Sequence, residues 1–151
     1  MRHPGIQVIC LGLLMLGIVV LPTWLQRQPP AELLGSATSD CALGAPCHTE
    51  LPGLGAVQLS IQPPTLPHDQ PLEVSVQAPA AVREASVQFI GKEMYMGLQP
   101  VPLIPDDTNH YRTSTRISYC TVDSAMRWQA EVRLHTNAGV YQITFSLEPT
   151  T

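Results

Sequence analysis

The stretch "MRWQAEVRLHTNAGVYQITFSL" (126–147) decides the fold. Met126, Trp128, Ala130, Val132 and Leu134 occupy alternate positions, and so do Tyr141, Ile143, Phe145 and Leu147. A period of two places each set on one side of a pleated strand, with the polar residues between them on the other side. Asn137-Ala138-Gly139 separates the two runs and supplies turn chemistry. The stretch therefore reads as a hairpin with one apolar face and one wet face.

Working toward the N-terminus, the same period recurs. Val57, Leu59 and Ile61 alternate with polar residues, as do Leu72, Val74 and Val76, and then Ala85, Val87 and Phe89. An extended or broken piece spans 94–104, and a Thr-, Ser- and Arg-rich strand is expected over 111–118. This makes about seven short strands separated by Pro- and Gly-containing turns. The expected fold is all-β, an antiparallel β-sandwich of immunoglobulin-like type, with no helix inside the domain. The antibody hallmark of two core cysteines around a tryptophan is missing, because Cys120 is the only cysteine in the strand region and Trp128 follows it.

The first 26 residues belong to something else. Residues 6–25, "IQVICLGLLMLGIVVLPTWL", carry no charge, and roughly 20 apolar residues are what a helix needs to cross a bilayer. Arg2 and the terminal amine precede the run and Arg27 follows it, which favours a cytoplasmic N-terminus and an exported C-terminus. A cleaved signal peptide is the competing account. Its apolar core would be shorter, about 7–15 residues, with a small-x-small site directly after it; here Pro22, Trp24 and Gln26 stand there instead. The expectation is a retained single-pass anchor over 1–26, with Cys10 packed inside the membrane.

Residues 27–55 are rich in Pro, Gly, Ala and Ser and show no sustained period, so they read as a tether to the domain at 56–151. Within the tether, Cys41 and Cys47 bracket a Gly/Pro turn. In an oxidising exported compartment they are expected to form a disulfide. A copper or zinc site made of Cys41, Cys47 and His48 is the less favoured alternative.

Composition removes several function classes. The net charge is -4, the pI is near 5.6 and only 13% of residues are charged, so no basic stripe exists for nucleic acid. There is no GxSxG, HExxH or phosphate-loop motif, and Asp106-Asp107 is a loop pair beside Pro105, so no enzyme is expected. A redox role for Cys41 and Cys47 ranks low, because a C-x5-C spacing on a tether lacks the helix N-terminus that lowers a thiol pKa.

The unusual chemistry is sulfur. Met94 and Met96 in "GKEMYMG" (91–97) share one side of an extended segment, and Cys120 is an exported thiol left over once Cys41 and Cys47 pair. Cys120 ends one expected strand and Met126 opens the next. Thiolate and thioether donors are soft and select copper, above all Cu(I). A blue-copper site would need two histidines beside the cysteine, and only His110 is expected nearby. Packing is the alternative for each methionine, since Met126 shares its face with Trp128 and methionine often fills irregular gaps.

The runs "SVQFIGKEMYMG", "HYRTSTRISYC" and "MRWQAEVRLHTNAGVYQITFSL" resemble small membrane-anchored bacterial proteins with a YtkA-like or FixH-like exported domain. The resemblance implies an immunoglobulin-like domain in the periplasm on an inner-membrane anchor, with Met94, Met96, Cys120 and Met126 as metal ligands. It further implies copper handling: delivery to a copper-dependent respiratory oxidase or its assembly factors in the manner of a chaperone, or copper tolerance. A metal-free accessory subunit of a membrane complex is the second expectation.

Overall fold

The computed structural model describes residues 14–18, 32–67, 69–93, 98–106, 109–117 and 126–149. Residues 14–18 are helical and exposed. The remainder of the expected 6–25 span lies outside the described residues, and among those described no helix is long and apolar enough to cross a membrane. Residues 32–151 form a separate unit whose described part is all-β.

Nine strands run in chain order: β1 (Leu33–Ala42), β2 (Cys47–Leu51), β3 (Gly55–Gln62), β4 (Leu72–Gln77), β5 (Val82–Gly91), β6 (Val101–Pro105), β7 (His110–Thr115), β8 (Trp128–Thr136) and β9 (Val140–Glu148). Against the expected count of about seven, the described residues form nine. They make one nearly closed sheet in the order β1-β9-β8-β5-β6-β7-β4-β3-β2. The alternating runs behave as their period requires. Val57, Leu59, Ile61, Val74, Val76, Val87, Val132, Leu134, Ile143 and Phe145 are almost wholly buried, while Glu73, Gln77 and Arg133 on the opposite parity are exposed. Inside, the Tyr111 hydroxyl donates to the Val82 carbonyl at 2.8 Å, so burial of the ring leaves no lost hydrogen bond at its tip.

β6 bends the sheet around. Its first part pairs with β5, through Val101↔Val87 and Leu103↔Ala85, and its last two residues pair with β7, through Ile104↔Arg112 and Pro105↔Tyr111. A single five-residue strand thereby joins the two halves.

The 27–55 tether is corrected: it contains two of the nine strands. β1 pairs with β9 in parallel along Leu33↔Val140 to Ala42↔Glu148, so the sheet is not purely antiparallel. β2 pairs with β3 through Cys47↔Leu59 to Leu51↔Gly55. β1 reads "LLGSATSDCA", whose small polar residues have weak strand propensity and no apolar alternation. What holds it is the backbone ladder to β9, which leaves little trace in side-chain pattern. Gly35 is one of the few specific traces: a β-carbon there would stand 3.2 Å from the Tyr141 ring.

Candidate functional site

Four strands converge in one cross-strand row, Cys41↔Leu147↔Trp128↔Gly91, at the end of the sheet where β1, β5 and β9 finish and β8 begins. Cys41, Leu147 and Trp128 are all buried. Just beyond this row the connection leaving β5 and the connection entering β8 are tied together. The Lys92 N–H donates to the Arg127 carbonyl at 2.9 Å. In return Glu93 accepts from the Arg127 backbone N–H at 2.9 Å and from its Nε at 2.6 Å. The Leu98 N–H donates to the Phe89 carbonyl at 3.2 Å, so the β5–β6 connection returns to the strand it left.

Of the four expected ligands, Met94, Met96 and Cys120 lie outside the described residues. Met126 is described: it is 8% exposed and belongs to the hydrophobic core beside Trp128. Its parity with Trp128 puts it there, as the packing alternative requires. The segments carrying the other three are nonetheless bounded by residues that the structure brings together, Glu93 on one side and Met126-Arg127 on the other.

Cys41 and Cys47 are joined in a disulfide, with Cα atoms 5.4 Å apart. Both are buried, at 1% and 8% exposure. The bond connects the end of β1 to the start of β2, which are the two outer strands of the nearly closed sheet, and it sits at the same end as Trp128. With their sulfurs bonded to each other, neither supplies a thiolate, which leaves the less favoured Cys41, Cys47 and His48 metal site without two of its donors. Among the described residues no group of three or more His, Cys, Asp or Glu side chains could hold a metal ion. His110, expected near the sulfur residues, opens β7 opposite Gln77, whereas β7 runs from there toward the Met126 end; it lies at the other end of the sheet.

Several features here were not read in the sequence. The Lys92 Nζ donates to the Ser146 Oγ at 3.0 Å, and Ser146 is the buried polar residue on the outer side of β9. Arg127 holds the Glu93 carboxyl below its ordinary range, chiefly through the side-chain hydrogen bond and then through its backbone N–H. Trp128 Nε1 is buried with no hydrogen-bond partner among the described residues. Pairs 34 and 54 residues apart carry no local signal; only the strand register could have placed them.

Comparison with protein families, curated proteins and solved structures finds no match to this chain.

Proposed function

We propose that the chain is a membrane-tethered periplasmic copper-binding protein, a Cu(I) carrier that serves respiratory oxidase assembly or copper tolerance. One observation supports it above others: the Lys92–Arg127 and Glu93–Arg127 hydrogen bonds join the start of the connection that contains Met94 and Met96 to the end of the connection that contains Cys120. The donor set suits the metal, since a thiolate with thioethers prefers a soft monovalent ion. Met94, Met96 and Cys120 would hold it, with Met126 as an optional fourth ligand. Bound copper would be the cargo, taken up and passed on by exchange of soft ligands. Residues 6–25 would serve as the anchor, because a charge-free run of that length partitions into a bilayer.

The finer architecture belongs to the same proposal. The order β3-β4-β7-β6 on one side and β5-β8-β9 on the other matches the two-sheet order of an immunoglobulin-like sandwich. In that reading β6 is the strand shared between the sheets, and β1 is an added parallel edge.

The second reading, a metal-free accessory subunit, draws on the burial of Met126 in the core. Replacing Met94 and Met96 together by Leu distinguishes the two. Such volume-conserving exchanges cost less than about 1.5 kcal/mol even in a core, so the fold should hold. On the carrier reading, competition titration with a Cu(I) chelator finds affinity lowered by orders of magnitude, and Cys120→Ser lowers it at least as far. Unchanged affinity in both variants leaves the accessory subunit as the better account.

A further inference from the structure

At the end of the sheet opposite Trp128, three connections contribute to an open cavity of about 240 Å³: 52–54 between β2 and β3, 78–81 between β4 and β5, and 137–139 between β8 and β9. Leu54, Ala81 and Ala138 give it apolar walls, and Arg83, Asn137 and Tyr141 bring polar side chains to it. The turn that carries Asn137 is held from within. Thr136 Oγ1 accepts from the Ala138 and Gly139 N–H groups, each at 3.2 Å, and donates to the Gly139 carbonyl at 2.9 Å.

The two buried tyrosines differ at their tips. Tyr111 donates its hydroxyl to the Val82 carbonyl, whereas the Tyr141 hydroxyl has no hydrogen-bond partner among the described residues, although only 8% of that residue is exposed. It opens beside Gly53. A β-carbon there would stand 3.2 Å from the hydroxyl oxygen, and the φ of +85° suits glycine, so the oxygen stays uncovered. Arg83 reaches the same cavity from a β-bulge: Val82 pairs with Thr136 and Glu84 with His135, which leaves Arg83 as the extra residue of β5. Bulges re-aim side chains in this way beside functional sites. The Arg83 guanidinium has no ion pair or hydrogen bond among the described residues. Of the acidic residues at this end, Glu32 and Glu84 are exposed and make no ion pair with it, and Asp106 pairs with Arg112.

We infer that this cavity binds the carboxylate of a small organic acid. The Arg83 guanidinium presents parallel N–H donors that match the two oxygens of a carboxylate, and the Tyr141 hydroxyl adds a further donor from the floor. Leu54, Ala81 and Ala138 hold the carbon body of the acid, in the usual division between apolar walls and a few placed polar groups. Size limits the ligand: at about 30 Å³ per water, the cavity has the room of about eight waters, which suits a small molecule. Charge selects among anions. Glu32 and Glu84 oppose a dianionic phosphate about twice as strongly as a singly charged carboxylate, because the Coulomb energy scales with charge. The inference does not rest on the copper reading.

The test titrates benzoate, a carboxylate on a small apolar body, into the isotope-labelled full-length chain in a neutral detergent, read by backbone amide NMR shifts. Benzamide, its uncharged counterpart, and inorganic phosphate are titrated in parallel. Benzoate is expected to move the Leu54, Ala81, Asn137 and Ala138 amides along a saturable curve while Gly91 and Trp128 stay in place, and the other two probes bind more weakly by about tenfold or more. Arg83→Gln changes an exposed side chain and Tyr141→Phe keeps the ring, and the amide spectrum of each variant verifies its fold. The first should weaken benzoate by about tenfold and the second by a smaller factor. Absence of saturation, benzamide or phosphate binding as tightly as benzoate, or benzoate affinity unchanged in either variant would overturn the inference.

Discussion

Trp128 is fully inside the protein, yet its indole N–H has no acceptor among the described residues. A buried donor without a partner forfeits the hydrogen bond it makes to water in the unfolded chain, a cost of about 1–3 kcal/mol. Trp128→Phe removes that donor and keeps most of the aromatic contact. It is therefore expected to cost far less than the about 3–5 kcal/mol typical of Trp→Ala in a core; chemical denaturation of the two variants checks this, and equal losses would contradict it. At Glu93 the sign is set by Arg127. Its folded pKa is depressed, so the clasp stabilises fully above the unfolded glutamate value and is lost as pH falls through the lower folded one. Both partners reach solvent, Arg127 with 72% of its side chain exposed, which limits the effect on global stability. NMR titration should find the Glu93 carboxyl below the other exposed glutamates and Arg127→Gln should return it to their range; a Glu93 midpoint indifferent to that substitution would refute the clasp.

At the level of elements, the disulfide joins the two strands that would otherwise be free margins of the sheet. Closing so short a loop restricts the unfolded chain by about 2 kcal/mol. Cys41→Ala with Cys47→Ala should lower unfolding free energy by about that amount, and a variant as stable as the parent would mean that the β9 ladder alone secures β1. The cysteine pairing was legible because Cys41 and Cys47 bracket a short Gly/Pro turn. The strands it joins were not. β3, β4, β5, β8 and β9 bury one face each and write that burial into the sequence as alternation, whereas β1 contributes mainly backbone groups to the ladder. β2 is five residues long and has only Cys47 and Leu51 as buried marks. Short or backbone-held strands at the margin of a sheet leave no period to read.

Across the whole molecule, the all-β character followed from the hairpin at 126–147, and its register ties Gly91, Trp128, Leu147 and Cys41 into a single row. That row explains why residues far apart in sequence meet at one end, a relation no local pattern contains. The sulfur candidates were legible as donor types, whereas the Glu93–Arg127 contact between the chain segments that lead to them is not encoded by sequence spacing. In the proposed arrangement the end of the sheet that holds the Trp128 row exchanges metal. The most direct measurement is copper loading of the full-length chain in detergent, with ascorbate as reductant so that Cys41–Cys47 stays oxidised, followed by X-ray absorption at the copper edge. The account predicts one Cu(I) per chain with sulfur as the dominant neighbour. A chain that retains no copper after gel filtration, or copper bound only through nitrogen and oxygen, would contradict it.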